Sequence, residues 1–314
     1  MSILKDNLTQ ILNEKQEKII PENIKKDVQI FDVTGTYEGE GGDDVGNYFN
    51  MKPTQTSLNM YSMLKLITNV PEIDTSNVTN MNSMFYNCTG LTTISLLDTS
   101  NVINMGSMFE KCSSLEAIPQ LNTNSVTNMD SMFRDCINLT TIPQLDTSNV
   151  TSMIFMFMNC SNLTTIPELN ISSVSDTTGM FYGCINLTEI PLLNTSNVTN
   201  ISQMFINCKA LTIIPQLNTS NATNMDNMFQ GCDNLITIPQ LDMSSVTSIQ
   251  TMFDNCPSLS NDSLNNILAS LVTATLYTGT KTLKYIGLSE EQATKCTTLS
   301  NWQGLTSAGW TTGY

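Results

Sequence analysis

Asp74-Thr75-Ser76-Asn77-Val78-Thr79-Asn80-Met81-Asn82-Ser83-Met84-Phe85-Tyr86-Asn87-Cys88-Thr89-Gly90-Leu91 decides the fold, because the chain writes this stretch again every 24 residues. Cysteine recurs at 88, 112, 136, 160, 184, 208, 232 and 256. Met-Phe recurs at 84–85 and in the same register through 252–253. Leucine follows each cysteine by three residues, from Leu91 to Leu259, and isoleucine runs from Ile94 to Ile238, usually ahead of proline. The unit is [DN]-T-S-N-V-T-N-M-x-x-M-F-x-x-C-x-x-L-x-x-I-P-x-L, and eight copies run from Asp74 to about Asn265. A fixed period of this length marks a repeat architecture, in which each unit buries its apolar face only against its neighbours. One step back, Phe85, Cys88, Leu91 and Ile94 map to Tyr61, Leu64, Ile67 and Val70. Residues 50–73 therefore read as a ninth, worn copy of the kind that caps an array.

Within a unit, Val78, Met81, Met84, Phe85 and Cys88 form an apolar stripe at helical spacing. The short polar residues before it offer acceptors for a helix start. Leu91 to Ile94 is β-prone, and Pro119, Pro143, Pro167, Pro191, Pro215 and Pro239 lack the amide that would extend a ladder. The expected fold is an α/β repeat solenoid: a leucine-rich-repeat-like, right-handed coil of about nine units, each with one short strand and one short helical segment, capped at both ends.

Composition removes several functions. The 314 residues are 40% hydrophobic, ample for a core, yet only 13% are charged, and Asn, Ser and Thr take up the difference. There is no histidine, which excludes His-based triads and His-bearing zinc sites. A formal charge of −15 with Arg134 as the only arginine excludes a nucleic-acid partner, since phosphate neutralisation needs clustered base. No apolar run approaches a membrane span of ~18 residues, so no membrane insertion is expected. Equivalent cysteines of neighbouring coils point in parallel, so they read as buried free thiols and neither as disulfides nor as zinc ligands. The [DN] column, half of it neutral, reads as turn chemistry and not as a calcium array. No nucleophile–base pair can be assembled; the chain is expected to be no enzyme and to use no cofactor or metal.

The unit resembles the BspA-like leucine-rich repeats of bacterial surface proteins, in the variant built on D-T-S-N-V-T-x-M-x-x-M-F-x-x-C-x-x-L. The resemblance covers about two thirds of the chain and implies adhesion to a protein or glycan partner. Ala222 for valine, Thr177 for the first methionine and the inverted Asn124-Ser125 are departures that leave a coil intact.

The ends differ from the middle. Leu4, Leu8, Ile11 and Leu12 have amphipathic helical spacing. Ile24 to Tyr37 resembles a small module of tail and baseplate proteins of phages that infect Gram-positive bacteria, with Asp27 and Asp32 where glycine is usual. Residues 1–38 thus read as a docking element through which a homo-oligomer could form, residues 39–49 as a Gly/Asp linker, 50–265 as the solenoid, and 266–314 as a C-terminal cap. In that cap, Leu264, Ile267, Leu268 and Leu271 share a helix face that begins at Asp262. A β-prone segment follows near Leu283–Leu288, then a capping box at Ser289-Glu290-Glu291-Gln292, and Trp302, Trp310 and Tyr314 cover the last coil. With no signal-peptide, lipid or sorting device at Met1–Asp6 or Gly309–Tyr314, a phage tail or tail-like particle is the expected location, and the bacterial cell surface the alternative.

Function is then carried by exposed positions that do not repeat. Met153-Ile154-Phe155-Met156-Phe157-Met158 is six apolar residues in a row, more than one face can bury, so part forms a contact patch or the coil is locally repacked. Arg134, Ile154, Phe155, Met158 and Tyr182 are the candidate partner contacts. The competing reading is a spacer without a specific ligand.

Overall fold

The computed structural model describes residues 69–70 and 74–314. The readings on 1–38, the 39–49 linker and most of the 50–73 copy lie outside the described residues. The chain from Asp74 is a stack of 24-residue coils around one continuous core. Val78, Met81, Met84, Phe85, Cys88, Leu91, Ile94 and Leu97 are buried in the first described coil, and the equivalent columns are buried in those that follow. Phe85 to Phe253 form an unbroken stack of rings, with centroids 5.5–5.7 Å apart and planes within 12° of parallel. Offset stacking of this kind adds to the hydrophobic gain of burying the rings.

The repeat solenoid stands, but the segment expected to be helical is a run of tight turns. Met84 N–H donates to Met81 O, Tyr86 to Ser83 and Cys88 to Phe85. Between these, Met81, Ser83, Phe85 and Asn87 donate to Asn104, Gly106, Met108 and Glu110 of the next coil. An α-helix would spend those amides internally; the turns leave alternate amides for the neighbour. The backbone reaches the left-handed region twice per coil, at Ser83 (φ 57°) and Asn87 (φ 61°) and at their equivalents onward. Non-glycine residues rarely adopt this conformation, and Asn does so most readily.

The strand expectation is corrected as well. Among the described residues, only β1 (Asn69–Val70) and β2 (Thr93–Ile94) form a two-residue parallel ladder, with Asn69 beside Thr93 and Val70 beside Ile94. This coil has Ser95 where later coils have proline. Pro119 and its successors remove the donor, and the ladder shrinks to one bridge at Ile213–Thr237. A second line of single parallel bridges joins Asn80, Asn104, Asn128, Ser152, Asp176, Asn200, Asn224 and Ser248.

Side chains complete the bonding between coils. Buried Thr75, Thr99, Thr123, Thr147, Thr195 and Thr219 donate to the carbonyl of residue 98, 122, 146, 170, 218 or 242 of the next coil. Each thiol from Cys112 to Cys256 donates to the phenylalanine carbonyl 27 residues earlier, at 3.0–3.2 Å. The cysteines are therefore hydrogen-bond donors as well as small core groups. The nine thiols are free and buried.

The C-terminal cap closes the stack with α1 (Asn261–Thr273), α2 (Glu290–Cys296) and α3 (Trp302–Ser307). The face of Leu264, Ile267, Leu268 and Leu271 is buried, as the sequence predicts, and the Ser289–Gln292 capping box is formed. Beside the apolar face, α1 carries a polar stripe that satisfies the open edge of the last coils. Ile238, Leu241 and Met243 N–H donate to Ser263 Oγ, Ser270 Oγ and Thr273 Oγ1, and Asn266 Nδ2 donates to Ile238 O. The expected β segment near Leu283–Leu288 is a turn run that imitates a further coil: Thr251 and Phe253 N–H donate to Tyr285 and Ile286 O. Gly287 (φ 92°) is required there, since a Cβ would stand 2.4 Å from Asp254 N. Trp310 is buried against Tyr277 and Trp302 is half-buried, whereas Tyr314 is exposed, its hydroxyl bound to Leu288 O.

Candidate functional site

The turn run presents two outward columns. One is the left-handed position Ser83, Ser107, Ser131, Phe155, Gly179, Gln203, Asn227 and Thr251. The other, directly after Met-Phe, is Tyr86, Glu110, Arg134, Met158, Tyr182, Ile206, Gln230 and Asp254. All five candidate contacts fall on or beside these columns and are half-buried.

The structure brings Arg134 and Phe155 together. The guanidinium carbon lies 5.8 Å from the ring centroid, a cation–π arrangement. Phe155 adopts φ 55°, and its ring lies over Gly179, where a Cβ would come within 2.4 Å of it. The glycine makes room for the phenyl ring, so the apolar outlier is accommodated by one neighbouring coil rather than by repacking the core. Met153, Met156 and Phe157 of the six-residue run are buried; Ile154, Phe155 and Met158 remain at the surface. Ile154 N–H donates to Asp130 Oδ1 of the preceding coil. Met158 sits between Arg134 and Tyr182 in its column, and its carbonyl accepts from Asp135 N–H. Tyr182 shares the column with Met158, and its carbonyl accepts from Asn159 N–H.

A charged group absent from the sequence-based selection adjoins Arg134. Glu110 is buried, accepts from Ser107 Oγ at 2.7 Å, and lies 3.8 Å from Arg134 Nη1 and 3.9 Å from Lys111 Nζ. Arg134 Nε is buried without a hydrogen bond, 3.7 Å from Asp135 Oδ2. Lys111 donates to the Tyr86 hydroxyl and lies over its ring; that hydrogen bond, ahead of the nearby Glu110 carboxylate, holds its ammonium above the usual lysine range. The signal available in the sequence was that Glu110-Lys111 and Arg134-Asp135 are the only two adjacent opposite-charge pairs in this register. Between Glu72 and Leu259 the bases are Lys111, Arg134 and Lys209, so two of three meet here. Among the described residues, no group of three or more Cys, Asp or Glu could hold a metal ion, and no helix is long and apolar enough to cross a membrane.

These coils define a leucine-rich-repeat-like solenoid with a uniform core and a locally irregular face. The chain belongs to the family described as "Mycoplasma protein of unknown function, DUF285", whose model matches residues 54–141, 97–189, 116–211 and 185–280. No curated protein matches it. Among solved structures it is similar to a leucine-rich cell surface protein of Faecalibacterium prausnitzii, with 27% identity over 59% of this chain and 58% of that one, TM-score 0.40. A leucine-rich repeat protein of T. pallidum matches with 20% identity over 71% and 94%, TM-score 0.41. One of Bacteroides ovatus matches with 20% identity over 61% and 59%, TM-score 0.33. The chain thus spans under two thirds of the Faecalibacterium and Bacteroides proteins.

Proposed function

We propose that the array is a non-enzymatic binding module that contacts a protein or glycan partner through the Arg134–Phe155 face, displayed outside a bacterial cell. The observation that carries this reading is one large aromatic side chain in the left-handed column. The column otherwise holds Ser, Gly, Gln, Asn or Thr, yet Phe155 occupies it at a conformational cost, with Gly179 cleared beside it and Arg134 over its ring. Half-buried Ile154, Phe155, Met158 and Tyr182, with Arg134 and a charged rim, have the composition of an interface centre, rich in aromatic residues and arginine. The motif's likeness to BspA-like repeats supports display at the cell surface; the stretch Ile24–Tyr37 suggests a tail-like particle as the other setting, with residues 1–38 as the docking element.

Arg134→Gln and Phe155→Ser place in these columns the residues already found at Gln230 and Ser131, so both variants keep the fold. The immobilised full chain and the double variant are compared for retention of bacterial envelope proteins, matrix proteins and glycans. A specific partner retained by the full chain and lost from the double variant supports the module; equal behaviour of the two supports the spacer. Cell fractionation separates the two settings, and deletion of residues 1–38 tests docking, since the truncated chain is expected to stay folded but leave the particle or oligomer.

A further inference from the structure

A second surface, apart from the two columns above, runs along the column that precedes each coil's final leucine: Leu96, Gln120, Gln144, Glu168, Leu192, Gln216 and Gln240. At Gln120, Gln144 and Gln216 the side chain works as a clamp. Gln120 Nε2 donates to Gln144 O and Leu121 O, Gln144 to Glu168 O and Leu145 O, and Gln216 to Gln240 O and Leu217 O. Glu168 and Leu192 have no donor to offer. Among the described residues, the carbonyls that a clamp would engage there, Leu169, Leu192, Leu193 and Gln216, receive no hydrogen bond.

The break coincides with a groove. Two open hollows of about 670 and 980 Å³ lie along the column, and Leu192 lines both. Leu192 is 73% exposed, as is Leu96 (71%) in the same column, whereas the final leucine of each coil is buried. Asp146, Glu168 and Asp242 line the groove, and no lysine or arginine does. The rest of the lining is Asn, Gln, Ser, Thr and leucine. The occupant must therefore be rich in donors, positively charged, and partly apolar. A polypeptide segment with arginine meets all three needs: its planar guanidinium carries five N–H donors for a carboxylate and nearby carbonyls. Its alkyl stem, or an adjacent apolar side chain, covers Leu192.

We infer that the Glu168–Leu192 break is a docking groove for an extended, arginine-bearing segment of a partner protein, with the guanidinium on Glu168 and the unclamped carbonyls and an apolar residue on Leu192. This surface is independent of the Arg134–Phe155 face, so either can fail without the other.

The test restores the clamp. Glu168→Gln with Leu192→Gln gives the column the residue it carries at 120, 144, 216 and 240, so the double variant folds, engages the free carbonyls and removes the charge. The probe is a fluorescently labelled hexapeptide of alternating Arg and Leu, titrated with the full chain and followed by anisotropy at low and at 0.5 M salt; a Glu-Leu hexapeptide is the control. Expected are saturable binding of the Arg-Leu peptide that weakens with salt, none of the Glu-Leu peptide, and at least a tenfold loss of affinity in the double variant. Leu96→Gln, which adds a clamp elsewhere in the column, should leave affinity unchanged. Equal affinity of the double variant, equal binding of the Glu-Leu peptide, or the same loss from Leu96→Gln overturns the proposal. So does a zero-length carbodiimide cross-link from Glu168 to Lys25 or Lys26, which would give the groove to the chain's own lysine-bearing start.

Discussion

At Ser152 and Ser248 the sequence departs from the Asn column, and the structure repairs the departure from the previous coil. Elsewhere the side chain at this position caps its own turn: Asn80, Asn104, Asn128, Asp176, Asn200 and Asn224 each accept from the amide two residues on. The Ser152 and Ser248 hydroxyls do not make this bond. Instead Asp226 Oδ1 accepts from Ser248 Oγ and Gln250 N–H, both at 2.7 Å, and Asp130 Oδ1 does the same for Ser152 Oγ and Ile154 N–H. Asp226→Ala removes two bonds to a carboxylate. Each is worth about 1.5–3 kcal/mol when fully buried, and half-burial brings the sum to about 2 kcal/mol. Ser248→Asn in that background supplies a local acceptor for Gln250 N–H, equivalent to regaining a cap of about 1 kcal/mol. In the wild-type background it only replaces one acceptor by another, for a net near zero. The coupling energy in urea unfolding should be about 1 kcal/mol, above the ~0.3–0.5 kcal/mol scatter of independent sites. Amide exchange at Gln250 should speed up more than tenfold in Asp226→Ala and slow again in the double variant. If Ser248→Asn has the same effect with and without Asp226, the cross-coil cap is wrong.

Three further outcomes are expected. Gly287→Ala should destabilise by about 2–4 kcal/mol in thermal unfolding, because a Cβ at φ 92° meets the Asp254 backbone, whereas Gly183→Asn should be near neutral: its Cβ crowds the Asn159 side-chain oxygen and meets the backbone only at ordinary contact distance, and its column carries Asn87, Asn159, Asn207 and Asn255. Burial pushes the Cys184 and Cys256 thiols up to about 12 from 9.0, so the unfolded chain releases protons that the folded chain keeps. Stability should then fall as pH rises above about 9 and level off near 12 for these two, with a shallower fall in Cys184→Ala; native thiols should resist alkylation at pH 8 that modifies all nine in denaturant. Ser270→Ala strands the buried Leu241 amide and should cost about 1–3 kcal/mol, visible as earlier urea unfolding of the C-terminal coils.

Much of the buried surface was legible from residue type and spacing. Every Val, Met, Met-Phe, Cys and Leu column assigned to the core is buried, and the substitutes Ile171 and Met243 in the threonine column are buried too. The α1 face and the Ser289–Gln292 box were equally plain, because both depend on neighbours within one turn. The cap's polar stripe was not. Ser263, Asn266, Ser270 and Thr273 look like an ordinary solvent face until the open edge of residues 236–243 lies against them. The candidate face was half legible: the run from Met153 to Met158 left a contact patch and a repacked coil both open, and the fit of Phe155 over Gly179 needed the alignment of two coils.

By itself, then, the sequence determined the 24-residue period, the identity of the inward columns and the places where the pattern breaks. Those follow from burial, and burial free energy is a property of the residue type wherever it recurs. The tertiary structure decided how each coil spends its amides. An apolar stripe at spacings of three and four suits a helix or a chain of turns alike. Within an isolated unit the helix would have the better local hydrogen bonds. In the stack, a neighbouring coil offers acceptors to Met81, Ser83, Phe85 and Asn87, and turns with left-handed corners are the backbone that reaches them. That choice exists only when the next coil is present, so no single unit's residues carry it. The same choice turns the side chains of Arg134, Phe155 and Met158 outward at the surface.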